Sequence, residues 1–172
     1  FRWLRLVAFI DPESDPTGSS YQIINSKVTI GSGGIYGKGA WSEGTLTHLN
    51  YVPENHTDFI FSVVGETLGF VGSLILLGLY AFVIFRMLLL AYHTKDRFGQ
   101  LIIIGVMAML LFHVYENIGM CIGVMPVIGL TLPFISYGGS SVVSLYAMLG
   151  LVSGVCARPV APTHERYIRH YA

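Results

Sequence analysis

Polar and apolar positions divide the chain into two regimes. Residues 1–58 mix Gly, Ser, Thr and Asn with half of all the charged residues. From Phe59 onward charge nearly disappears. Thr67–Phe85, Phe98–Tyr115 and Asn117–Ala157 contain no Asp, Glu, Lys or Arg. A membrane-crossing helix needs about 20 mostly apolar residues. The pattern therefore predicts three spans, at 60–90, 98–123 and 138–157. The first exceeds one crossing and is expected to tilt or to project from the bilayer. None sits at the N-terminus behind a basic region, so none reads as a signal peptide. The fold class is an all-α integral membrane protein. Residues 1–58 form a large extracytoplasmic loop segment, 59–158 the three-span transmembrane region and 159–172 a cytoplasmic tail.

Within the polar segment, Phe1 to Ile10 is apolar with two arginines and fits the end of a helix at the outer surface. Asp11-Pro12-Glu13-Ser14-Asp15-Pro16-Thr17-Gly18 is a turn sequence, its prolines and glycine fixing the chain direction. Tyr21 to Ile30 alternates weakly and fits either a strand or a short amphipathic helix. Gly31 to Gly39 then packs five glycines into nine residues. Glycine permits positive φ and close backbone approach. Such a loop either cradles phosphate or is a flexible surface loop; it lacks the Gly-Lys-Ser/Thr ending of a P-loop.

Composition supports the membrane reading. The chain has 172 residues, 12% charged, with a mean hydropathy of +0.62. Soluble domains carry about 25% charged residues. Ten basic residues balance ten acidic ones, so the surplus that nucleic-acid binding needs is missing. Cys121 and Cys156 lie in apolar runs and read as small buried hydrophobes rather than a disulfide or a zinc site.

Basic residues in short loops set orientation. His93-Thr94-Lys95-Asp96-Arg97 lies between the first two spans, and Arg158, Arg166 and Arg169 follow the third. Both stretches belong in the cytoplasm. Met125–Gly138, without charge, and the segment 1–58 then lie outside. The four basic residues of 1–58 weigh less because that segment is long. The chain starts without a methionine in what reads as an outside segment. It is expected to be the C-terminal part of a larger membrane protein or one piece of a split one.

Candidate chemistry gathers at the outer boundary. Glu54-Asn55-His56-Thr57-Asp58 follows Pro53 and leads into the first span. A helix starting after Pro53 puts Glu54 and Asp58 on one face. Acids in a first helical turn also serve as plain dipole partners or caps. An acid at headgroup level is equally suited to taking a proton from a hydroxyl, or to holding a divalent ion on a diphosphate. Glu66 either lines the same cavity or faces neighbouring helices. His113, Glu116 and Asn117 share a face at helical spacing, and ionisable residues in membrane are functional candidates. His113 and Glu116 lack a third ligand for a metal site. Met125–Ser141 holds Pro126 and Pro133 and ends in Ser136-Tyr137-Gly138-Gly139-Ser140-Ser141. Irregular backbone at membrane depth survives only inside protein or beside water, so this loop is expected to dip back and wall a cavity.

Gly31-Ser32-Gly33-Gly34, Pro53-Glu54-Asn55-His56-Thr57-Asp58-Phe59-Ile60-Phe61 and Pro133-Phe134-Ile135-Ser136-Tyr137-Gly138-Gly139-Ser140 together resemble the SEDS family (shape, elongation, division and sporulation proteins; RodA, FtsW and SpoVE). The resemblance covers nearly all of 1–158 in order. Lys27, Lys38 and Gly44-Thr45 are RodA-type features; Ile128 stands where FtsW-type chains tend to carry lysine. The resemblance implies the last three spans of an approximately ten-helix peptidoglycan glycosyltransferase. Such proteins polymerise lipid II during cell-wall elongation, at the outer face of the bacterial cytoplasmic membrane, beside a class B penicillin-binding protein. It implies Asp58 as the catalytic acid, acting as general base or through a divalent cation (Mg or Mn) that it helps hold. Glu54, His56, Lys27, Lys38, Ser136 and Tyr137 are the implied substrate-binding residues, with no nucleic-acid partner. Two departures stand out: Glu116 occupies a position expected to be neutral, and the tail from Pro159 matches nothing in the family.

Two other classes fit a chain of this kind. A lipid II flippase would place its essential charges near the midplane, as at Glu116. A scaffold that only recruits a penicillin-binding protein would tolerate Asp58→Asn.

Overall fold

The computed structural model describes residues 19–39 and 57–157. The expected features at Phe1–Ile10 and 11–18, and the tail from 159, lie outside the described residues. Among the described residues every regular element is a helix: α1 (Ser19–Ser32), α2 (Ile60–His93), α3 (Arg97–Cys121) and α4 (Gly139–Ala157). The last three are each long and apolar enough to cross a membrane.

The Tyr21–Ile30 segment is helical. Of its buried positions, Ile23, Ser26 and Thr29, with the partly buried Ile30, recur at the three- and four-residue spacing of a helix face, and Asn25 is buried beside them. The short turn after His93 makes α2 and α3 antiparallel neighbours. Asp96 caps α3, its carboxylate accepting the Gly99 N–H at 3.2 Å. A side chain at Gly99 would collide with a Val155 methyl, so glycine lets the end of α4 close onto the start of α3. Met87 and Ala91 of α2, Ile103, Val106 and Leu110 of α3, and Leu145 and Val152 of α4 form one core. A second joins Ile23 of α1 to Phe59, Phe61, Tyr80, Val114, Met120, Val127 and Leu132. Cys121 is buried in that second core, whereas Cys156 is exposed on α4. The expectation that both cysteines are buried fails at Cys156, because its side of α4 packs on no described neighbour.

The long first span is broken rather than merely tilted. Gly69 sits at φ 69°, ψ −164° inside α2. An unbroken helix would bond the N–H groups of Phe70 and Val71 to the carbonyls of Glu66 and Thr67. Here those carbonyls accept instead from the N–H groups of Lys38 and Gly39, each at 3.0 Å. The freed Phe70 and Val71 N–H groups donate to the carbonyls of Gly34 and Ile35, at 3.0 and 3.2 Å. The Gly-rich segment is thus spliced into α2, and each helical bond lost is replaced by two. A Cβ at Gly37 would stand 2.3 Å from the Thr67 oxygen, and one at Gly69 would stand 2.3 Å from the Gly37 nitrogen. Glycine is needed on both sides for that approach. This corrects both readings of the loop: it is neither a free surface loop nor a phosphate cradle, because the N–H groups of Gly37, Lys38 and Gly39 are already bonded to protein carbonyls.

Between α3 and α4 the chain is irregular and partly held inside protein, with Val127, Leu132 and Ser136 buried while Ile128 and Tyr137 are exposed. The phenol of Tyr80 donates a hydrogen bond to the Pro133 carbonyl. Tyr80 lies eleven residues beyond the break, about 16 Å along α2. The loop therefore dips between the spans, with its Pro133 and Leu130 carbonyls met by the side chains of Tyr80 and Asn117.

Candidate active site

Asp58 precedes the first turn of α2, at the end of the bundle opposite the basic His93–Arg97 turn. Phe59, almost wholly buried, anchors the chain there. Three contacts fix the segment. Asn117 of α3 donates from Nδ2 to the Asp58 carbonyl at 2.7 Å and to the Leu130 carbonyl at 2.7 Å. The Ser136 hydroxyl donates to the Thr57 carbonyl at 2.8 Å and accepts the Leu132 N–H at 2.7 Å. Gly129, at φ 81°, offers no side chain toward the carboxylate: Asp58 Oδ2 lies 3.1 Å from where its Cβ would be. The irregular loop and α3 together hold one carboxylate at the mouth of the bundle.

The two lysines differ in what surrounds them. Lys38 Nζ pairs with Glu66 Oε1 at 3.2 Å and donates to Ser32 Oγ at 3.0 Å. Glu66 is fully buried, so this lysine compensates an internal charge. Lys27 lies over the turn that follows α3, its stem resting where Gly123 lacks a side chain. Ser26, its neighbour, donates to the Cys121 carbonyl at 2.9 Å and ties α1 to the end of α3. The Lys27 ammonium and the Asp58 carboxylate both stand at that end.

Other expected site residues fall differently. Ser136 is buried and its hydroxyl is used within the protein, so it shapes the site from behind rather than meeting a ligand. Tyr137 is 82% exposed on the loop. Glu54 and His56 lie outside the described residues. His113, Glu116 and Asn117 do not act as one face. Asn117 serves the Asp58 segment and Glu116 is buried. His113 bonds the Met109 carbonyl through Nδ1 at 2.9 Å and borders a cavity walled by Thr131, Pro133, Phe134, Ser141 and Met148. Glu116 lies seven residues above the middle of α3, about 10 Å toward the Asp58 end.

Among the described residues no three His, Cys, Asp or Glu side chains gather as metal donors. Asp58 alone offers one carboxylate, which suits a Mg²⁺ shared with a substrate diphosphate rather than one caged by protein; the steps below are derived for the chain's own residues.

Sequence reasoning missed one contributor and the partners of another. Tyr80 was signalled only by a phenol in an otherwise apolar run, since such a group seeks a partner when buried. Asn117 was noted, but its partners are 59 and 13 residues away in sequence.

Peptidoglycan glycosyltransferase MrdB of Escherichia coli (strain K12) is 49% identical over 151 residues, covering 88% of this chain and 40% of its own length. Peptidoglycan glycosyltransferase RodA of Treponema pallidum (strain Nichols) is 41% identical over 158 residues, covering 92% of this chain and 36% of its own. The chain thus spans about two fifths of the length of the curated relatives it matches. A chain solved in a peptidoglycan synthase complex that coordinates polymerization and crosslinking superposes with a TM-score of 0.69. It is 39% identical, covering 88% of this chain and 40% of that one. The cell cycle protein model for FtsW, RodA and SpoVE matches residues 1–159, and the chain belongs to this family, the SEDS proteins.

Proposed function

We propose that this chain forms the catalytic end of a peptidoglycan glycosyltransferase that polymerises lipid II on the outer face of the bacterial cytoplasmic membrane, with Asp58 as general base. The observation that carries the reading is the Asp58 carboxylate, fixed at the bundle end away from the basic turn by Asn117, Ser136 and Gly129. The basic turn marks the cytoplasmic side, so the carboxylate faces outward at headgroup level. Relatives that carry the same segment are named peptidoglycan glycosyltransferases.

The reaction needs little machinery. Asp58 takes the proton from the acceptor's 4-hydroxyl as that oxygen attacks the anomeric carbon of the donor. The new C1–O4 bond forms while the bond from C1 to the diphosphate oxygen breaks. The electron pair leaves with undecaprenyl diphosphate, and the α-linked donor inverts to a β-1,4 bond. Base assistance of this kind contributes about 10²–10⁴-fold. Lys27 is the lysine suited to the leaving diphosphate, because Lys38 already balances Glu66. Glu54, His56 and Tyr137 complete the proposed acceptor and donor contacts. A class B penicillin-binding protein is the proposed partner; a structural neighbour comes from a peptidoglycan synthase complex.

The broken span weighs against transport. Transporters present the ends of interrupted helices to their cargo, whereas here the groups freed at Gly69 are bonded to the Gly-rich backbone. Glycan synthesis from purified lipid II by the complete protein tests the reading, with and without Mg²⁺ or Mn²⁺ and the partner. Asp58→Asn should abolish polymerisation while the protein stays folded; wild-type product from that variant would end the proposal.

A further inference from the structure

We infer that Asn117 is a positioning residue for the Asp58 carboxylate, a role that rests on the reading of Asp58 as the base. Asn117 is fully buried in α3. Its Nδ2 carries two hydrogens, and the two bonds from it use both: one to the Asp58 carbonyl, one to the Leu130 carbonyl. The amide orientation follows from its partners. Turned over, Oδ1 would face two carbonyl oxygens. Oδ1 itself has no partner among the described residues, so the side chain acts here as a double donor.

That double donation couples two segments that no local structure joins. One carries Asp58 into α2; the other is the Gly129-Leu130 stretch of the irregular loop. The carboxylate packs against the bare Cα face of Gly129, next to Leu130, whose carbonyl the same amide holds. The amide therefore sets both the main chain that bears the carboxylate and the surface it rests on. Other side chains fit poorly. Aspartate would aim oxygens at two carbonyls, serine offers one hydrogen, and glutamine is one methylene longer. A displacement of about 1 Å at a catalytic group costs on the order of 10²-fold in rate.

The test uses the full-length protein and lipid II, comparing wild type with Asn117→Ser and Asn117→Gln. For Asn117→Ser, kcat should fall about 10²-fold with KM for lipid II nearly unchanged. The acid limb of the kcat/KM profile, which reports the base, should move as the carboxylate leaves its place against Gly129. Asn117→Gln keeps the donor amide and should recover part of the rate and of the profile. A merely structural role would lower the amount of folded enzyme and leave the pH profile in place; that result, at matched folded protein, overturns the inference. Should Asn117→Ser not fold, Asn117→Gln is read against the same two criteria. Asp58→Asn, run in parallel, separates the two ideas. Activity surviving in that variant removes the base assignment itself. Activity lost there, beside an unmoved profile in the Asn117 variants, removes only the positioning role.

Discussion

A methyl group at residue 37 has no room. Gly37 sits at φ 78°, a left-handed conformation that costs an L-residue roughly 1–2 kcal/mol. Its Cβ would also stand 2.3 Å from the Thr67 oxygen and 2.7 Å from the Gly69 nitrogen, both backbone atoms that cannot swing aside. The loop must then retreat by about 1 Å, beyond hydrogen-bond reach. The Lys38 and Gly39 N–H bonds to Glu66 and Thr67 would be lost, at about 1 kcal/mol each. Gly37→Ala should therefore destabilise the protein by about 3–4 kcal/mol in total. Two controls share the same loop. Gly34 is also left-handed, but nothing lies within 4 Å of its missing Cβ, so Gly34→Ala should cost only the conformational part. Gly31 has equal space and ends a helix, so Gly31→Ala should be neutral or slightly stabilising. Thermal unfolding of the purified full-length protein in detergent gives the ranking. Equal melting temperatures for the alanine variants at 34 and 37 would refute the close-approach argument.

Three further outcomes follow from the same contacts. Lys38→Ala should cost about 3 kcal/mol by removing the lysine paired with the buried Glu66 carboxylate, and adding Glu66→Gln should restore most of it; unfolding curves of the single and double variants check the recovery. Tyr80→Phe should cost about 1–2 kcal/mol through the orphaned Pro133 carbonyl. It should also speed hydrogen exchange across 126–138, and unchanged protection there would show that the phenol does not hold the loop down. Asp58→Asn, assayed for glycan product, should leave melting almost unchanged while removing activity, since the Asn117 bond goes to the residue 58 main chain and not to its carboxylate.

Helices α2 to α4 were legible because each contains a charge-free stretch of about bilayer length, a property carried by single residues and their neighbours. Asp58 stood out through the family resemblance, since an acid opening such a run is by itself equally a dipole partner or a cap. What the sequence concealed was pairing between distant backbones. Gly69 looks like any other glycine in an apolar helix until residues 34–39 are laid against it. The same nine-residue glycine stretch suggested looseness, because composition reports conformational freedom and not what uses it. The shared face of His113, Glu116 and Asn117 dissolved for a related reason. Helical spacing gives angular position, but the neighbours that claim each side chain come from elsewhere in the chain.

The interruption at Gly69 has a bearing on how the protein is made. Residues 70–93 alone run about 36 Å, more than the roughly 30 Å of bilayer hydrocarbon. Lateral release of this span into lipid thus asks nothing of the glycine stretch translated before it. That stretch instead decides how residues 60–68 are set once the span is seated. Anchorage and completion of the mouth are separate events in biogenesis, and a defect in the second would leave a well-inserted but inactive protein.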